Sequence, residues 1–327
     1  MFRTEVTVAP ATFQLTLQDK VLTMGSCFAD VIGTKLQQHK VAVLANPFGT
    51  LFNPLSVCKL LEASCGLAPD FEPHLVQNNG IWYAYDLHSS LSSPDKEQLL
   101  YHISEQLQQT GQQLQQARLL IITLGTAVAY RLRTSGLVVA NCHKLPAGNF
   151  ERVLLTGAEM QSAFETMYTS LKQFNPDIKL LLTVSPVRHV KETLETNSVS
   201  KALLRVLCYQ LTQAHPDVHY FPAFEIMQDD LRDYRFYKED MLHPTEVAEN
   251  YIWDKFARAY YTLEFQQFIR EWDNMRRALH HRSFNPTSEA HKNFLRSTLQ
   301  QLDVLAGKYK IDVSAEKALL QQQLSTT

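Results

Sequence analysis

Apolar residues along this chain fall into two recurring patterns. Short continuous runs that suit buried strands occur at Lys20–Met24, Val41–Ala45, Leu119–Leu124, Lys179–Val184 and Val218–Phe221. Between them apolar positions return at helical spacing. They do so at Phe28, Val31, Ile32 and Leu36 behind the first run, then over Leu55–Glu62, the Gln-rich stretch Lys96–Gln116, Glu159–Phe174 and roughly Ser200–Ala214. Strand, helix and strand from Lys20 to Ala45 predict a right-handed parallel crossover. The sum is an α/β fold with a mostly parallel sheet and helices on both faces. Ile81–Asp86 and Leu137–Ala140 suit small antiparallel excursions. Beyond about Tyr251 the pattern turns wholly helical. Trp253, Phe256, Tyr260, Leu263, Phe268 and Trp272 continue one face, and Asn293–Leu305 and Glu316–Leu324 predict two more helices. The expected division is residues 1–255 for the α/β domain and 256–327 for a C-terminal helical extension. That extension packs on the sheet or serves as a homodimerisation arm.

Composition narrows the function classes. With 327 residues, 45% hydrophobic and 20% charged, the chain can bury one large core. Its formal charge of -2, from 31 Lys+Arg against 33 Asp+Glu, provides no basic field for a nucleic-acid backbone. No stretch approaches the roughly 20 apolar residues of a membrane span, and the opening residues carry no apolar leader, so a cytoplasmic protein is expected. The five cysteines, Cys27, Cys58, Cys65, Cys142 and Cys208, form no C-x-x-C pair, which argues against a disulfide framework or a structural zinc. Nothing calls for a metal or another cofactor.

In open parallel sheets ligands bind beyond the carboxyl ends of the strands. The loops expected there are the chemically dense parts of the chain: Gly25-Ser26-Cys27, Asn46-Pro47-Phe48-Gly49, Gly125-Thr126-Ala127, Ser185-Pro186-Val187-Arg188-His189, and finally Glu225 with Asp240-Met241-Leu242-His243-Pro244. A nucleophile at a strand-to-helix turn gains from unpaired N–H groups that stabilise an anion, and Ser26 or Cys27 fits that role. The competing roles are helix cap for Ser26 and small buried residue for Cys27. Asp240 and His243 are three residues apart, so one turn of chain brings the carboxylate to the imidazole Nδ1 and leaves Nε2 as a general base. Pro244 steers His243 out of the helical region and starts a helix after it. Arg188 suits an anionic substrate group, with a salt bridge to Glu225 as the alternative. Asn141, His143 and Lys144 are expected to make polar contacts to substrate rather than to bind a metal. Among the loop histidines, His189, His143 and His88 are lower-grade candidates.

Residues Gly25–Ala29 read GSCFA, and the chain resembles the family named for that motif. The resemblance extends through Asn46–Thr50, Trp82 with His88-Ser89, Thr123–Thr126, Asn141–Lys144, Ser185–Arg188 and Arg232–Tyr237, which leads to Asp240 and His243. It covers about the first 255 residues. The family looks like a distant branch of the SGNH (GDSL-like) hydrolases. That likeness implies a three-layer αβα sandwich and ester hydrolysis or acyl transfer. It lays Gly-Asp-Ser over Gly25-Ser26-Cys27, which puts Cys27 at the nucleophile position, although a one-residue shift in the turn would favour Ser26. Gly49 is similar in place to an oxyanion-hole glycine, and Asp240 and His243 match the closing Asp-x-x-His. At Gly125-Thr126-Ala127 the pattern departs, because the Asn of that block is missing, and Asn141, Asn46 or the Thr126 hydroxyl would have to replace it. The expected activity is cleavage or transfer of a small-molecule or carbohydrate ester through a covalent acyl-enzyme. The alternatives are a non-catalytic pocket that binds a ligand and a redox sensor that uses Cys27.

Overall fold

A computed structural model describes residues 4–191, 193–281 and 283–326. Its strands are β1 (Lys20–Gly25), β2 (Ala42–Ala45), β3 (Leu75–Asn78), β4 (Ile81–Ala84), β5 (Ala117–Leu124), β6 (Val128–Leu132), β7 (Val138–Val139), β8 (Phe150–Leu154), β9 (Lys179–Val184) and β10 (Val218–Tyr220). The helices are α1 (Cys27–Gln38), α2 (Pro54–Glu62), α3 (Lys96–Gln116), α4 (Gly157–Phe174), α5 (Leu194–Ala214), the single turn α6 (Ala223–Glu225), α7 (Glu246–Tyr260), α8 (Leu263–Leu279), α9 (Glu289–Tyr309) and α10 (Ser314–Thr326).

Five strands form the central sheet in the order β10-β9-β5-β1-β2, and every pairing is parallel. The continuous apolar runs of β1, β5 and β9 follow from this position. Successive side chains point to opposite faces, so each run feeds two cores. Leu22, Met24, Leu120, Ile122, Leu180 and Leu182 pack beneath α2 to α5. Val21, Leu119, Ile121 and Leu181 pack on the other side with α1, α7 and the C-terminal helices. The result is the expected three-layer α/β sandwich. The C-terminal helices belong to its second helical layer, where the Trp272 indole N–H donates to Gln38 O at 2.8 Å and Lys40 pairs with Glu316 at 2.7 Å.

Local signals set the helix starts. Thr156 and Glu159 make a reciprocal capping box, so α4 begins at Gly157, before the apolar periodicity is visible. Asn53 caps α2 by accepting from Ser56 N, with Pro54 as the first helical residue. The two expected antiparallel excursions contribute β4, paired with β3, and β7, which joins β6 and β8 in a three-stranded sheet. No described helix is long and apolar enough to cross a membrane.

Candidate active site

The turn after β1 is built around a backbone that only glycine accommodates. Gly25 has φ +130, and a Cβ there would lie 2.1 Å from Thr123 O of β5. Gly25 N donates to Asn46 Oδ1 at 2.8 Å, and Ser26 N donates to Thr123 O at 2.9 Å. Ser26 then caps α1 in extended geometry through its backbone, its O accepting from Ala29 N at 2.7 Å. Its side chain takes no part: the residue is 0% exposed and Oγ is buried with no hydrogen-bond partner. Cys27, the first helical residue, is partly exposed. Burial, and to a lesser degree the Asp30 carboxylate, raise the Cys27 thiol above its ordinary pKa, while Lys201 and hydrogen bonds from the Cys27 and Phe28 N–H groups oppose the rise. The direction favours the protonated thiol.

The expected carboxylate–imidazole pair forms on the loop before α7. His243 Nδ1 lies 2.6 Å from Asp240 Oδ2, while Asp240 Oδ1 accepts from Leu242 N at 2.8 Å and His243 N at 3.0 Å. These bonds hold the Asp240 carboxyl down to about 2. A Tyr237–Pro244 bridge, with Lys238 N donating to His243 O at 2.7 Å, closes the loop at its base. The loop is then fastened to the end of β9. Arg188 N donates to Leu242 O at 3.4 Å, and the Arg188 guanidinium sits 4.2 Å from the centre of the Tyr237 ring. The alternative Arg188–Glu225 pair does not form. Glu225 Oε1 accepts instead from Arg205 Nε at 2.6 Å.

Near the ends of β5 and β9 lie two groups that the sequence brought out weakly or not at all. Lys201 of α5 is 2% exposed, and Nζ donates to Gly125 O at 2.7 Å and Ser185 O at 2.8 Å. Burial brings its ammonium down to about 7, with the Cys27 thiol opposing. His189 donates its backbone N–H to Asn197 Oδ1 at 2.9 Å, and its ring meets Phe52 edge-on at 5.0 Å. Burial first, then the Lys201 and His243 charges, hold that ring down to about 3, so it is neutral. Lys201 escaped sequence analysis because a helical lysine ordinarily faces water. The signal was its place three residues before Leu204 and seven before Cys208, on the buried face of α5.

The remaining expected residues divide into loop builders and cavity walls. Asn46 (φ 42) opens a turn in which Gly49 N donates to Asn46 O at 2.8 Å, and a Cβ on Gly49 would meet the His88 Cβ at 2.4 Å. Gly125 N and Thr126 N both donate to Phe52 O at 3.0 Å, and the Thr126 hydroxyl bonds Ser200 Oγ at 2.9 Å and Val128 N at 3.0 Å. The Gly49, Gly125 and Thr126 backbone N–H groups are therefore engaged within the protein, whereas the Cys27 and Phe28 N–H groups face the thiol. Asn141, Lys144, Thr126 and His189 line a cavity of about 460 Å³, together with Phe52 and Cys142. His143 lies behind it, 3% exposed: Nε2 meets Ala84 O at 2.8 Å, Nδ1 meets Ser89 Oγ at 3.1 Å, and the ring stacks on Tyr83. Burial keeps it neutral, and it buttresses the β3–β4 hairpin. No group of three or more His, Cys, Asp or Glu among the described residues is placed to hold a metal ion.

Three solved structures share parts of this architecture. A Clostridium thermocellum family 3 carbohydrate esterase is 14% identical, with 77% of this chain and 98% of that chain covered and a TM-score of 0.31. A mutant acetyl esterase with acetate ion is 10% identical, with 79% and 99% covered and a TM-score of 0.35. A carbohydrate esterase family 3 protein from Talaromyces cellulolyticus is 10% identical, with 79% and 99% covered and a TM-score of 0.30. Likenesses of this size leave the chemistry to be argued from the residues themselves. No curated protein matches the chain. Profiles of the GSCFA family and of the GSCFA domain protein C-terminal domain match residues 20–256 and 272–326 respectively, and the chain belongs to the GSCFA family.

Proposed function

We propose that this protein cleaves or transfers an acyl group from an ester, with Cys27 as nucleophile, His243 as general base and Asp240 as the partner that orients it. His243 Nε2 takes the thiol proton and Asp240 stabilises the imidazolium. Sγ forms a bond to the ester carbonyl carbon, and the carbonyl π pair moves to oxygen, where the Cys27 and Phe28 N–H groups receive it. Collapse expels the alcohol, which takes the proton from His243, and leaves a thioester on Cys27. Water or an acceptor hydroxyl, deprotonated by His243, then displaces the thiol and regenerates the site. A small-molecule or carbohydrate ester would place its larger part in the cavity bounded by Asn141, Lys144 and Phe52.

The observation that carries the reading is the contrast at the β1 turn: Ser26 is wholly buried and Cys27 is partly exposed, with a carboxylate–imidazole pair on a loop fastened to the end of β9. Brief exposure to p-nitrophenyl acetate followed by intact-protein mass tests it. The acetyl adduct is expected in the wild type and in Ser26→Ala, is abolished in Cys27→Ala and forms more slowly in His243→Ala. An adduct indifferent to all three replacements would sink the proposal in favour of a pocket that only binds its ligand.

A further inference from the structure

We propose that the cavity of about 460 Å³ walled by the β7-β6-β8 sheet is a subsite for an apolar body that carries an anionic group, so that the ester this protein takes is that of an aromatic or aliphatic acid anion rather than of a sugar. This substrate class deepens the acyl-transfer reading and rests on it, since a subsite serves catalysis only if the ester bond reaches Cys27. Tyr130 of β6 registers with Val139 of β7, and Leu132 of β6 with Phe150 of β8. Tyr130, Val139 and Phe150 line the cavity, with Phe52 from the loop before α2. The volume is that of an ordinary small-molecule site. Lys144 and Lys191, both exposed, supply its charge, and no Asp or Glu among the described residues lines it.

The other polar side chains of the cavity are spent inside the protein or left as donors. Asn53 Oδ1 accepts from Ser56 N at 2.9 Å and its amide donates to Ser56 Oγ at 3.0 Å, while the Thr126 hydroxyl is held by Ser200 and Val128. Asn141 Oδ1 accepts from His143 N at 2.9 Å, which leaves the Asn141 NH2 group as a donor. His189 Nε2 is buried with no hydrogen-bond partner, and a neutral ring can carry its one proton on that nitrogen. The side chains thus offer apolar surface, donors and two ammonium groups. A sugar needs acceptors as well as donors around its ring, whereas an anion takes donors alone. Apolar walls also strengthen the pull of a lysine beyond its worth on open surface. Lys144 starts from a fixed backbone. His143 and Lys144 are consecutive left-handed residues (φ 49 and 58), a costly conformation for side chains with a Cβ. The buried His143 ring, held by Ala84 O and Ser89 Oγ, and the bond from Asn78 Nδ2 to His143 O at 2.9 Å keep them there.

The test uses 2-naphthoate and its neutral amide, 2-naphthamide, with binding read by calorimetry and no turnover required. Wild type should bind naphthoate about tenfold more tightly than naphthamide. Replacing both lysines, Lys144→Gln with Lys191→Gln, should abolish that difference and leave naphthamide binding unchanged. Equal binding of the two probes, no binding of either, or a preference that survives the double replacement would each overturn the proposal. Cys142 locates the probe without any replacement, because it lines the cavity and is partly exposed. Iodoacetamide alkylates it as the thiolate sulfur bonds to carbon and iodide leaves, and peptide mass separates Cys142 from Cys27. Naphthoate at about ten times its dissociation constant should slow alkylation of Cys142 about tenfold. An unprotected Cys142 would also overturn the proposal. A naphthoate preference without an acetyl adduct on Cys27 would refute acyl transfer alone, and an adduct without the preference would refute the anionic subsite alone.

Discussion

Asp240 commits both carboxylate oxygens to its own loop, one to backbone N–H groups and one to the His243 ring. Asp240→Asn keeps the size but loses the anion that orients and stabilises the imidazolium. Acylation of Cys27 should slow by about 100-fold or more, read as the rate of adduct formation. Because the carboxyl is held down to about 2, its contribution is complete above the ordinary carboxylate range and fades only as the pH falls through that low value. Changes in acylation rate between about pH 5 and 8 therefore belong to other groups. Ser26→Ala gives the opposite expectation, since its hydroxyl makes no cap bond and has no partner to lose. Stability should change by no more than about 1 kcal/mol. Asp240 and His243 were legible as a pair because spacing alone brings them together. The burial of Lys201 was not, since its bonds to Gly125 O and Ser185 O depend on how two strands and a helix are assembled.

Elements of the central sheet were legible where burial on both faces forces unbroken apolar runs, as in Lys179–Val184, whose limits agree with β9. Strands β3, β6 and β8 were hidden for the converse reason. Their sequences LVQN, VAYRL and FERVL mix apolar and polar residues on ribbons that are half exposed, so the apolar pattern alone does not mark them as strands, although Asn79-Gly80 after β3 carries the hairpin turn. The junction of β1 with β5 has its own test. Gly25→Ala adds a methyl 2.1 Å from Thr123 O at φ +130, so either the strands separate or the turn is rebuilt. The expected cost is on the order of 3 kcal/mol by denaturant unfolding, with loss of selective Cys27 alkylation. Gly80→Ala, at φ +78 in the hairpin turn with nothing within 4 Å, should cost only about 1 kcal/mol and leave Cys27 unchanged.

For the molecule as a whole, buried thiols set an alkaline limit. Cys58, Cys65 and Cys208 are pushed up to about 12 by burial, from an ordinary 9.0. Above pH 9 the unfolded chain releases these protons and the folded one does not, so stability falls as pH rises, by up to about 1.4 kcal/mol per thiol for each unit. Lys201, held down to about 7, acts in the other direction up to its ordinary value of 10.5, as one group against these three and the raised Cys27 and Cys142 thiols. Urea midpoints should drop between pH 8 and pH 10, and Cys58→Ala should lessen the drop even where it lowers the midpoint itself. The fold also carries a long-range closure. Leu15 N donates to Tyr260 O, and Thr262 N donates back to Leu15 O, so burial of the strip with Phe13, Leu15 and Leu17 is completed by residues from far along the chain. On the ribosome, the interior strand β1 is made early, but its neighbouring apolar strip waits for the α7–α8 junction to emerge. For most of translation that strip is open to chaperones and to other nascent chains.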